Sequence, residues 1–135
     1  MSLRYLLDTN TVSYFIRRSS SPLEKRMTLA LKQNCAAIST LTRAELRYGQ
    51  ALMDAQDKRR SMIDLLLQQL PHLPWTLEAA DQYGQIKSQL KRAGEPIGEI
   101  DTQIAAHALA ESLILVTHNT QHFERVQGLR VDDWF

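Results

Sequence analysis

Three acidic side chains stand where they could act together: Asp8 directly after the apolar run LRYLL, Glu45 within TLTRAELRYG, and Asp101 within IGEIDTQIAAHA. Carboxylates gathered from distant segments repel one another and raise one another's pKa, so a fold that collects them calls for a cation to offset the charge. Mg2+ or Mn2+ meets that need. Each acid also has a purely structural reading. Asp8 suits the N-cap of a helix beginning TNTV, Glu45 could close a capping box with Thr42, and Asp101 with Glu99 favours the positive end of its own helix. A cap explains one acid at one helix start. It does not explain why three such starts should share one edge of a sheet.

The elements that must position these acids follow from the apolar pattern. Residues 3–7 read as a buried strand and 9–18 as a helix, with Ser19-Ser20-Ser21-Pro22 as the break before a second helix over 23–33. Residues 35–39 form a further strand, followed by a helix from Thr40 or Thr42 to about residue 55. Met62, Leu65, Leu66 and Gln69 or Leu70 fall on one helical face until Pro71 and Pro74 end the pattern. Leu73 and Trp75 suggest a short strand. Thr76 can cap a helix over 77–93 that ends at Gly94, and residues 101–111 make the next helix beyond Pro96-Ile97-Gly98. Residues 113–117 are the clearest strand of all, and a short helical turn and a last strand over 129–134 complete the chain.

Strands separated by helices imply right-handed crossovers and an α/β three-layer sandwich, with a central, mostly parallel sheet covered on both faces. Ligands of such sheets bind beyond the carboxyl ends of the strands. Asp8 and Asn119 occupy that position, Glu45 lies about one turn into the helix after the second strand, and Asp101 lies in the first turn of its helix, so that all can converge on one edge. The 135 residues, 44% of them apolar, suit one domain over 1–135 with one core. Sixteen Lys and Arg against fifteen Asp and Glu leave a net charge of +1, too little to attract nucleic acid by bulk charge, so a local patch must hold any such ligand. Cys35 is the one cysteine, which excludes an internal disulfide framework and a Cys-rich zinc site and points to a reducing cytoplasm. No apolar stretch reaches the roughly 18 residues of a membrane span, and no signal-peptide pattern opens the chain.

LLDTN near the start, Ala44-Glu45-Leu46, Ile97-Gly98-Glu99-Ile100-Asp101 followed by IAAHA, LVTHN before Phe123, and the ending GLRVDDWF together resemble the PIN-domain ribonucleases. Within these, the chain is most similar to the VapC-type toxins of bacterial toxin–antitoxin pairs. The resemblance covers nearly the whole chain and implies a PIN-like fold and an Mg2+- or Mn2+-dependent endoribonuclease whose acidic ligands match Asp8, Glu45 and Asp101. It also implies a VapB-type antitoxin that covers the acidic edge and binds operator DNA on the toxin's behalf, a homodimer, and tRNA as substrate, initiator tRNA in particular. A fourth acid is usual in many members. Its place after Val116-Thr117 falls to Asn119 here, with His122 where another acid sometimes lies, so the second metal position loses a charge.

Hydrolysis of a phosphodiester needs a water made nucleophilic near neutral pH and shielding of charge on the phosphate oxygens, both of which carboxylate-held Mg2+ supplies. Asp8 and Asp101 are the expected direct ligands. Glu45 either binds the cation or orients its water. Thr9, Asn10 and Thr117 could fix carboxylate orientation, or could simply form strand-end turns. Arg43 shares a helix with Glu45 and is the expected phosphate contact, or else faces an antitoxin. Lys58-Arg59-Arg60 reads as an ordinary solvated helix start. His118 and His122 have the spacing of a helical metal pair but no companions for a zinc site, and His107 is expected to touch a neighbouring helix. Apolar faces over 48–52 and 62–66 serve either the core or an interface between subunits. Two other readings start from the same residues. LLDTNTV superficially resembles the nucleophile motif of haloacid-dehalogenase-like hydrolases, with Asp8 attacking substrate covalently, although the chain is short for that fold. The chain could also be a catalytically weak PIN-like module that only binds RNA or antitoxin.

Overall fold

The computed structural model describes residues 2–135 and contains five strands and seven helices among them. Strand β1 is Tyr5–Leu7, β2 is Ala36–Ser39, β3 is His72–Leu73, β4 is Ile114–Val116 and β5 is Val131–Asp132. They pair in the order β3-β2-β1-β4-β5, and every pairing is parallel, so the sheet is fully parallel rather than mostly so. β1 is central, with Leu6 opposite Ala37 on one side and Leu115 on the other. The chain first builds outwards from β1 through β2 to β3, then crosses to the other side of β1 for β4. That reversal leaves a crevice at the carboxyl ends of β1 and β4.

Alternation along the strands sorts the side chains into two apolar layers. Leu7, Ile38 and Val116 pack with Val12, Met27 and Leu66 beneath α1 (Thr9–Ile16), α2 (Ser21–Gln33), α3 (Thr40–Leu52) and α4 (Arg59–Gln69). Leu6 and Leu115 face the opposite way and pack with Ile86, Leu90, Ile104 and Phe123 of α5 (Leu77–Arg92), α6 (Glu99–Ala110) and α7 (Thr120–Phe123). The expected three-layer sandwich is therefore present, with both faces of the sheet covered.

Several boundaries differ from the sequence reading for identifiable reasons. Pro74 has no N–H to donate to a ladder, so β3 stops at Leu73 and Trp75 lies outside it. Helix α3 ends at Leu52 instead of near residue 55, because Met53 turns extended and Arg60 Nη1 donates to the carbonyls of Gln50 and Met53 at 2.7 and 3.3 Å. Arg60 is thus a structural clamp, and Arg59 bonds Asp57, so the basic run is more than solvated charge. β5 is only two residues long, since Trp134 turns inward and donates its indole N–H to Asp132 Oδ2 at 3.0 Å. No helix of the described residues is long and apolar enough to cross a membrane.

Candidate active site

Asp8 follows β1 directly and caps α1. Its Oδ1 accepts the Thr11 N–H at 2.8 Å, so the structural reading of this acid is correct. Yet Asp8 is only 5% exposed, and the fully buried Thr117, just past β4, stands beside it. Burial pushes the Asp8 carboxyl above the usual carboxylate range despite the hydrogen bonding that opposes it. A plain surface cap would carry no such cost.

Glu45 reaches the same place from α3. The capping-box reading fails here, since Ser39 caps that helix by accepting the Leu41 N–H. Thr42, one turn before Glu45, is fully buried instead, and its hydroxyl lies 3.1 Å from that of Thr9. The Thr9 hydroxyl in turn donates to Glu45 Oε1 in a short bond. Glu45 is thereby held by a chain of two hydroxyls: Thr9, expected beside the ligands, and Thr42, which the sequence pairs with Glu45 but as a capping box rather than through Thr9.

Asp101 arrives from the first turn of α6 and is half-buried. Its carboxyl is raised first by burial and then by the negative charge of Asp8, with Glu45 adding to the effect and His122 opposing it. Asp8, Thr9, Asn10, Glu45 and Asp101 line one small cleft, walled by Ile100 and Ile104. The three predicted acids converge, with Asn10 on the rim and Thr117 underneath.

Two expected members lie elsewhere. Asn119 is exposed, its backbone N–H donates to Thr117 Oγ1 at 3.0 Å, and it does not line the cleft. Its neighbour one turn on, His122, is nearer, with Nδ1 3.9 Å from Asp101 Oδ2, a Coulomb distance rather than a hydrogen bond. Arg43 turns towards β3, where Nη1 donates to His72 Nε2 at 3.0 Å; burial first and this guanidinium second lower the pKa of that ring. His107 is fully buried and meets a strand end as well as a ring: its Nδ1 is 2.9 Å from Ser39 Oγ, and Trp75 packs edge-on.

Among the described residues, no three His, Cys, Asp or Glu side chains close into a ready-made chelate. The donor set still fits Mg2+ or Mn2+. Mg2+ keeps several waters and binds through one or two carboxylates, and a pair of desolvated, mutually repelling carboxyls supplies the electrostatic demand. The side chains lining the cleft offer oxygen donors, which Mg2+ and Mn2+ prefer, and none of the cysteines or paired histidines common in zinc sites.

A parallel sheet reversing at β1, with three carboxylates at the reversal, defines the class: a small α/β protein with an acidic cleft at its switch point. The sequence matches the PIN domain over residues 5–129. It is 39% identical to ribonuclease VapC2 of Haemophilus influenzae and 35% identical to the tRNA(fMet)-specific endonuclease VapC of Salmonella typhimurium, each over 132 residues covering 98% of both chains. The crystal structure of VapBC2 from Rickettsia felis bound to a promoter DNA fragment superposes with a TM-score of 0.89 at 32% identity over 100% of both chains. The chain belongs to the VapC ribonucleases of the PIN-domain family. This membership sets aside the dehalogenase-like reading of Asp8.

Proposed function

We propose that this protein is a divalent-cation-dependent endoribonuclease toxin, neutralised by a VapB-type antitoxin, with tRNA as substrate and initiator tRNA as the first candidate. The observation that carries the reading is the convergence of Asp8, Glu45 and Asp101 in one cleft, with Asp8 and Asp101 both held above the usual carboxylate range. The tRNA assignment leans on the Salmonella relative and the antitoxin assignment on the Rickettsia complex.

Asp8 and Asp101 would hold the cation. When bound, it makes water nucleophilic near neutral pH and shields the charge that builds on the phosphate oxygens. Thr11 N–H fixes one oxygen of the Asp8 carboxylate and leaves the other for the cleft. Thr9 fixes Glu45 in the same way and leaves its second oxygen free to orient the attacking water and accept its proton. Ile100 and Ile104 exclude bulk water from one wall. Asn119 contributes no charge, which leaves any second cation to be recruited with the substrate phosphate.

The chain acts as one unit over 1–135 in the cytoplasm. Tyr48 and Leu52 on α3 and Leu65 on α4 are exposed, at 68%, 70% and 57%, and supply apolar surface for a homodimer, while Ile63 and Leu66 beside them belong to the core. DNA is met only through the antitoxin, in keeping with a net charge of +1. Sequencing RNA 5′ ends after brief induction tests the substrate. New ends at one position in initiator tRNA are expected, and ends confined to messenger RNA would overturn the tRNA assignment.

A further inference from the structure

We propose that the stacked rings of His118 and Phe135, edged by Tyr14, form a platform that holds one nucleobase of the RNA strand beside the acidic cleft. The proposal rests on the ribonuclease reading and adds a contact to the base where the cleft addresses only the phosphate. The His118 and Phe135 ring centroids lie 4.1 Å apart with the planes 21° from parallel. Tyr14 meets both edge-on, at 6.0 Å from His118 and 5.1 Å from Phe135. One carboxylate fixes the pair, because Asp133 accepts from His118 Nδ1 and from the Phe135 backbone N–H, each at 3.0 Å. The Asp133 charge is thus used internally. Phe135 nevertheless remains 41% exposed, and His118 is exposed as well. Two flat groups are therefore held parallel and only partly covered at the surface.

Their place favours a nucleotide. Tyr14 stands one turn of α1, about 6 Å, beyond the cleft residue Asn10, and His118 directly follows Thr117, which is buried beside Asp8. The Arg17 guanidinium lies 5.4 Å from the Tyr14 ring centroid and also lines the groove beside Thr9 and Glu45. A cation thus stands beside the platform, on a groove that also reaches Thr9 and Glu45, where it can pair with a phosphate of a strand laid along that groove. Aromatic faces accept any base, and proteins that read single-stranded RNA splay bases onto such rings. The platform then calls for an unpaired nucleotide next to the scissile bond.

The test uses the full-length protein in EDTA, so that nothing is cut, with two fluorescent probes: a short oligoadenylate and the same ribose-phosphate chain without bases. Wild type should bind the oligoadenylate more tightly. Phe135→Ala and His118→Ala should each weaken oligoadenylate binding by roughly fivefold or more and leave the abasic chain unaffected. Phe135→Leu, which keeps apolar bulk and safeguards the fold, should lose affinity as Phe135→Ala does, whereas Phe135→Trp should retain it. Equal oligoadenylate binding by wild type, Phe135→Leu and Phe135→Ala would overturn the platform while leaving the ribonuclease reading intact. Failure of wild type to prefer the oligoadenylate over the abasic chain would overturn the platform alone, since the ribonuclease reading is decided by cleavage with the cation present. A change of oligomeric state in light scattering, without loss of base preference, would overturn the proposal in favour of a contact between two copies of this chain.

Discussion

At the scale of single residues, two side chains each do two jobs, and substitution separates them. Asp8 caps α1 and faces the cleft. Asn is as good a cap as Asp, so Asp8→Asn should keep α1 while removing the charge. We expect RNA cleavage to fall by about a hundredfold or more, the worth of several kcal/mol of charge stabilisation, when rates are compared on a radiolabelled tRNA. Retention of full activity would show that Asp8 is only a cap. Thr9 both starts α1 and holds Glu45. Thr9→Val keeps the shape of the side chain but loses the hydroxyl, so cleavage should drop roughly tenfold to a hundredfold, as when an orienting partner of a metal ligand is lost. Unfolding in urea should show a smaller change, on the order of 1 kcal/mol. Loss of stability without loss of rate would mean that Glu45 needs no orientation.

At the scale of elements, the site depends on how α1, α3 and α6 meet the ends of β1 and β4, and the helices themselves leave room for improvement. Gly84 lies inside α5, is exposed, and an added Cβ there would meet nothing within 4 Å. Gly84→Ala should therefore stabilise the protein by about 1 kcal/mol through helix propensity, with cleavage unchanged, as thermal melts and rate assays would show. A loss of stability would reveal packing against α5 that the structure lacks. Most of these elements were legible in the sequence because buried strands are short apolar runs and helices keep their period. The privileged place of Asp8 was legible too, since it directly follows such a run. Partnerships across the chain were not. Thr9 and Glu45 are 36 residues apart, and His107 and Ser39 are 68 apart, distances that no local pattern spans. The helix alone offers Arg43 to RNA or to an antitoxin, yet His72 on β3 sets its direction. Counting from β4 puts Asn119 at the strand end, yet it is exposed and outside the cleft lining, while His122 on α7 comes within 3.9 Å of Asp101.

At the scale of the whole molecule, the buried acids and the buried His107 give stability opposite dependences on pH. The Asp8 and Asp101 carboxyls titrate above their unfolded values near 4, so the folded state binds more protons than the unfolded one and stability falls as pH rises through their raised pKa values. Burial lowers the pKa of His107 below its unfolded value near 6.5, so its contribution is complete above about pH 6.5 and is lost on acidification. A divalent cation binds only the ionised acids. Mn2+ should thus raise the melting temperature at pH 7.5 by several degrees, the equivalent of about 2.7 kcal/mol at a hundred times its Kd, and by much less at pH 4.5. Asp8→Asn combined with Asp101→Asn should remove that gain without affecting the acid loss due to His107. An equal Mn2+ effect in this double variant would place the cation elsewhere. The most direct test of the account is the cleavage of purified initiator tRNA, resolved on a denaturing gel, by wild type and Asp101→Asn protein with Mg2+, with Mn2+ and with EDTA. The account predicts discrete cleavage by wild type with either cation, none in EDTA, and none by Asp101→Asn under any condition; the same discrete cleavage in EDTA, or by Asp101→Asn, would contradict it.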